Sequence, residues 1–153
     1  MGGWVAGARQ SVAALGRVDR LPVHSVAVLL GPHGDDLWQA LRGWKDEGAV
    51  GGIGISAYVA DDPLKLAREF RPAAMQMPVS ILDQRLIQSG AFAAIKALGV
   101  EIHARSLFLQ GLLFLPETKL PPKLAGAAPH LRGFGERFAH AGTTPLAAAL
   151  AFR

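Results

Sequence analysis

Three apolar runs in this 153-residue chain finish in side chains that can do chemistry. Residues 51–58 read GGIGISAY and end in Ser56 and Tyr58, and residues 73–85, AAMQMPVSILDQR, carry Gln76, Asp83 and Arg85. Residues 100–113, VEIHARSLFLQGLL, run through Arg105 and Ser106 into a loop that holds Gln110 and Gly111. A shorter apolar segment, residues 21–28, carries His24, whose imidazole changes charge near neutral pH. A buried strand whose far end presents hydroxyl, amide, guanidinium or imidazole groups is where α/β enzymes keep their sites, because the loops after parallel strands gather at one end of the sheet. Repetition of that grammar points to a barrel enzyme or part of one.

Other groupings of the same residues do not reach a working constellation. Gly52, Gly54 and Ala57 satisfy G-x-G-x-x-A, but a dinucleotide turn must follow a strand and open a helix, whereas these residues lie inside the strand. Small residues there let a neighbouring chain approach closely. His33 with Asp35 and Asp36, and His103 with Glu101, each fall short of three convincing metal ligands. The first set reads better as a solvated His33 beside an Asp35 or Asp36 helix cap. Glu101 and Asp83 as paired acids would need a known separation. Ser25 beside His24 lacks the G-x-S-x-G elbow of a hydrolase nucleophile. His130 and His140 fall in polar helical surroundings and read as surface groups.

The elements that must position the strand ends follow from periodicity. Residues 8–15 form a helix and residues 21–28 the first strand. From Asp35, the three- and four-residue spacing of Leu37, Trp38, Leu41 and Trp44 builds a helix with one buried face that ends near Gly48. Strand 51–58 follows. Asp61 or Asp62 then caps a helix with Pro63 in its first turn and Leu64, Ala67 and Phe70 on one face, stopping before Pro72. Strand 73–80 precedes a helical stripe of Leu86, Phe92, Ile95 and Leu98 that closes at Gly99, and strand 100–108 comes directly after. Residues 115–129 are a Pro- and Leu-rich loop, residues 131–139 a helix, and Thr143 or Thr144 caps a last helix with Pro145 near its start. Strands alternating with helices through short right-handed crossovers demand a parallel sheet. Four strands are too few to close an eight-stranded barrel.

Composition bounds the rest. Half the residues are apolar, enough for one domain with a real core. No cysteine is present, which fits a reducing compartment and makes the cytoplasm the default expectation. The N-terminal residues lack the apolar block of a signal peptide, and the longest nearly apolar stretch, residues 106–116, is far short of the ~20 residues that span a bilayer. No membrane partner is expected. The net charge is +4, but the sixteen Lys and Arg are scattered singly, so no nucleic-acid partner is expected either.

Four segments, LPVHSV, DDLWQALRGWKDEGAVGGIGISAY, AAMQMPVSILDQRLI and GVEIHARSLFLQGLLFLP, together resemble the aldo-keto reductase family in order and spacing over residues 21–116. The resemblance implies a partial (β/α)8 TIM barrel in a single domain over residues 1–153, covering family strands four to seven. It implies NADPH as cofactor and a small carbonyl compound as substrate, reduced by hydride transfer while an acid protonates the oxygen. His24 matches the family histidine that orients the substrate and is the candidate catalytic residue. Ser56 and Gln76 match positions that hydrogen-bond the nicotinamide carboxamide. Arg105 stands where relatives stack an aromatic ring, and Ser106, Leu107, Gln110 and Gly111 match the pyrophosphate side. The family's proton-donating tyrosine and its lysine and aspartate have no match, and Tyr58, the sole tyrosine, sits elsewhere as a packing or rim residue. The expectation is therefore a truncated reductase with negligible turnover alone. The rival expectation is a non-enzymatic half-barrel that joins itself or a complementary chain through open strand edges.

Overall fold

The computed structural model describes residues 2–152. Among them the chain forms two compact units: residues 2–77 with 85–104, and residues 78–84 with 105–152. Each has its own apolar core.

The first unit contains helix α1 (Gly2–Leu15), strand β1 (Leu21–Val23), helices α2 (Val26–Leu29) and α3 (Gly34–Asp46), and strand β2 (Ile53–Ser56). Helix α4 (Pro63–Phe70), strand β3 (Ala74–Pro78), helices α5 (Arg85–Gln88) and α6 (Ala91–Ala97) and strand β4 (Glu101–Arg105) complete the alternation, the last residues of β3 and β4 running into the second unit. The strands lie in the order β1-β2-β3-β4. Leu21 pairs with Ile53 and Gly54 with Ala74, both parallel, and the Glu101 N–H donates to the Ala73 carbonyl at 3.0 Å. Four parallel strands with flanking helices are the architecture expected of part of a TIM barrel.

One sheet face is sealed by helices. Ile55, Met75, Leu66 and Ile95 are essentially inaccessible, and Trp38 of α3 meets Phe70 of α4 edge-on with ring centroids 5.3 Å apart. The stripe Leu37, Trp38, Leu41 and Trp44 is buried as its spacing predicts. Arg9 of α1 pairs with Glu47 and lies over the Trp44 ring, which ties α1 to the end of α3.

The boundaries depart from the pattern in three places. The strand expected over residues 21–28 stops at Val23, because Val26 and Leu29, three apart, bury on one side and draw the chain into the short helix α2. The N-cap position of helix α3 falls on His33, which makes no side-chain capping bond, and Asp35 and Asp36 sit in the first turn instead. Gly34 packs so closely under α2 that an added Cβ would lie 1.6 Å from the Leu29 carbonyl oxygen, so the helix starts one residue early. The stripe from Leu86 to Leu98 is broken into α5 and α6 by Gly90, whose φ is +75°.

The second unit is built from 3₁₀ segments at Leu109–Phe114, Glu117–Lys119 and Pro122–Ala127, then helices α7 (Ala128–His140) and α8 (Pro145–Ala151). Its core gathers Ile81, Leu113, Leu131 and Ala149. Arg132 grips Glu117 with two 2.8 Å hydrogen bonds, which holds the carboxyl below its ordinary pKa and raises the guanidinium's. No helix among the described residues is long and apolar enough to cross a membrane.

Candidate functional site

The parallel register puts Ser56, the last residue of β2, directly beside Gln76 in the middle of β3. Ser56 is buried, Gln76 half-buried, and the Ser56 hydroxyl lies 3.4 Å from Gln76 Oε1. Two glycines upstream permit this approach. A Cβ on Gly54 would come within 2.8 Å of the Ala74 carbonyl oxygen, and one on Gly52 within 2.8 Å of the Ala73 side chain. The glycine pair, Gly52 just before β2 and Gly54 within it, therefore serves strand packing.

His24 follows β1 in a bend and is exposed. Its side of the sheet opens into a hollow of about 300 Å³ whose lining includes His24, Ser25, Ser56, Tyr58 and Asp61. Tyr58 is 56% exposed and its N–H donates to Asp61 Oδ2 at 2.7 Å, so the turn after β2 holds the phenol at the rim. The hollow collects one imidazole, hydroxyls and a carboxylate, groups able to orient a small polar molecule by hydrogen bonds.

A second hollow, about 240 Å³, lies on the open face of the sheet and is lined by Arg20, Pro22, Gly54, Ala74, Gln76 and His103. Arg20 donates to Glu101 Oε2 through Nε at 3.0 Å and Nη2 at 2.8 Å, and His103 Nε2 stands 2.8 Å from Glu101 Oε1. The hydrogen bond with His103, followed by that from Arg20, holds the Glu101 carboxyl below its usual range. Sequence reading missed Arg20 altogether. Its partner lies 81 residues away, and no local pattern joins an arginine before the first strand to a glutamate opening the fourth.

The remaining candidates belong to the second unit. Arg105 is half-buried at the end of β4, and its carbonyl accepts from the Val79 N–H at 3.1 Å. Ser106 (φ +63°), Gln110 (φ +56°) and Gly111 (φ +90°) form a left-handed turn in which Ser106 and Gln110 are exposed and Leu107 is half-buried. The structure thus brings His24 and Ser56 to one hollow and Ser56 against Gln76, with Arg105, Ser106, Leu107 and Gln110 clustered along the other unit's chain. Among the described residues no group of three His, Asp or Glu side chains could hold a metal ion.

The model of the aldo/keto reductase family matches residues 8–151. A solved protein of Pseudomonas aeruginosa assigned as an aldo-keto reductase shares the fold, with a TM-score of 0.51 at 20% identity, over 71% of this chain. The chain spans 44% of the length of that structure. No curated protein matches the sequence.

Proposed function

The chain belongs to the aldo/keto reductase family, and from that premise we propose that it is the cofactor-facing part of an oxidoreductase that uses NADPH to reduce a small aldehyde or ketone. The observation that carries the proposal is the Ser56–Gln76 pair on adjacent strands. A serine hydroxyl and a glutamine amide supply donors and acceptors for a planar carboxamide, so the residues fit the nicotinamide end of the cofactor. When bound, NADPH would supply the hydride.

The chain's own residues would do the rest by positioning. Ser56 and Gln76 would fix the carboxamide and with it the ring face that meets the His24 hollow. An N–H of His24 would donate to the substrate oxygen and orient the carbonyl. For the second unit by itself, Arg105, Ser106, Leu107 and Gln110 are proposed as contacts on the pyrophosphate side, supported by their match to the family motif. The tyrosine, lysine and aspartate that deliver the proton in the family have no matched position, so turnover by this chain alone is proposed to be negligible. A cytoplasmic location is part of the proposal, supported by the absence of cysteine.

Titration with NADPH, followed by quenching of the buried Trp38 and Trp44, tests the reading. Saturable quenching that weakens at least several-fold in Ser56→Ala and Gln76→Ala supports it. Absence of saturable binding overturns it. Rapid NADPH oxidation with an aldehyde panel would overturn the proposal of negligible turnover.

A further inference from the structure

We propose that the His24 hollow selects carbonyl compounds that carry an ammonium group, with the Tyr58 ring and the Asp61 carboxylate receiving the cation. The inference rests on the reading of His24 as the group that orients the substrate oxygen, and it assigns a task to the other wall of the same hollow.

The turn after β2 holds both receivers. Ser56 ends β2, Tyr58 follows in extended backbone (φ −101°, ψ 169°), and a 3₁₀ turn over Val59–Asp61 folds the chain back. The turn closes on itself twice, since the Asp61 N–H donates to the Tyr58 carbonyl at 3.0 Å and the Tyr58 N–H donates to Asp61 Oδ2 at 2.7 Å. The capping task that the sequence offered to Asp61 or Asp62 falls to Asp62, which accepts from the Lys65 N–H at 3.2 Å. Asp61 instead lines the hollow together with Tyr58.

That wall has the two properties an organic cation uses. A carboxylate that accepts one N–H keeps its charge and most of its acceptor positions. Asp61 is half-buried, and partial removal from water strengthens its attraction for a cation. Tyr58, exposed at the rim, offers an aromatic face, over which ammonium groups are held by the ring quadrupole. His24 and Ser25, which follow β1, supply the hydrogen-bonding wall from the neighbouring strand. A ligand with a carbonyl at one end and an ammonium at the other uses both walls. A neutral ketone of the same shape gains the carbonyl contact alone, and a keto acid meets like charge at Asp61.

Titration of the isotope-labelled full chain, followed by amide chemical shifts without cofactor, compares acetonyltrimethylammonium with its uncharged isostere 4,4-dimethylpentan-2-one. The cationic ketone is expected to bind about tenfold more tightly, the joint effect of one ring and one carboxylate. Asp61→Asn keeps an oxygen for the Tyr58 N–H but removes the charge, and Tyr58→Leu removes the ring. Each is expected to cut the preference several-fold, whereas Tyr58→Phe retains most of it. His24→Ala should weaken both ketones equally and leave their ratio intact, because the imidazole holds the oxygen they share. No binding of the cationic ketone, equal binding of the two, or a preference unaltered in Asp61→Asn and Tyr58→Leu would overturn the proposal. A ratio that collapses with His24→Ala alone would overturn it too. Should Tyr58→Leu not fold, the wild-type comparison and Asp61→Asn decide. Equal binding that His24→Ala weakens would sink the cation site and leave the reading of His24 standing, while a failure of NADPH to bind strikes the functional reading separately.

Discussion

Glu101 is held by both Arg20 and His103, and these bonds have a pH signature. His103 and Arg20 hold its carboxyl below the ordinary value near 4.5. As pH falls, the unfolded chain takes the proton first, so the stabilisation is full above about that value and is lost as pH drops through the lower folded value. Glu101→Gln is expected to reduce stability at neutral pH and to make the acid limb of a stability-versus-pH curve shallower. Denaturant unfolding across the acid range checks both. An unchanged acid limb would mean the network contributes nothing to folding. Residues of this kind were partly legible in advance. His24, Ser56 and Gln76 announced themselves by ending apolar runs, whereas Arg20 acquires its partner only through the tertiary curl of the sheet.

Helix starts show what one side chain contributes to an element. Asp62 accepts from the Lys65 N–H at 3.2 Å and Thr144 from the Ala147 N–H at 3.1 Å, each just before a proline in the first turn. Asp62→Ala and Thr144→Ala are each expected to cost about 1 kcal/mol. The loss at residue 62 should be the larger because its φ of +51° suits alanine poorly. Thermal unfolding of the two variants measures this. Both caps were among the alternatives written in the sequence, since a polar residue followed by proline is a local signal. The early end of the first strand was not, because the apolar run from Val26 to Leu30 fits a buried strand as well as a helix until the burial of Val26 and Leu29 on one side decides. Nor was the early start of α3, which depends on how closely the Leu29 carbonyl approaches Gly34.

Two separate cores imply that the molecule answers core damage unit by unit. Met75 is fully buried in the first core and Leu131 nearly so in the second. Met75→Ala and Leu131→Ala are each expected to cost about 2–5 kcal/mol. Native-state hydrogen exchange should speed up chiefly among amides of the damaged unit, and uniform acceleration across both would show a single cooperative block. The parallel sheet of the first unit was legible because strands alternated with helices. The second unit was less so, since 3₁₀ turns over residues 109–127 carry no hydrophobic period to read.

The grip between Ser56 and Gln76 is set two residues upstream by a methyl group that Gly54 does not have. Gly54→Ala would wedge β2 away from the Ala74 carbonyl and widen the gap between the two side chains while leaving both chemically intact. It should loosen NADPH quenching much as Ser56→Ala does, which makes position 54 a remote dial on how firmly the two strands hold a flat amide.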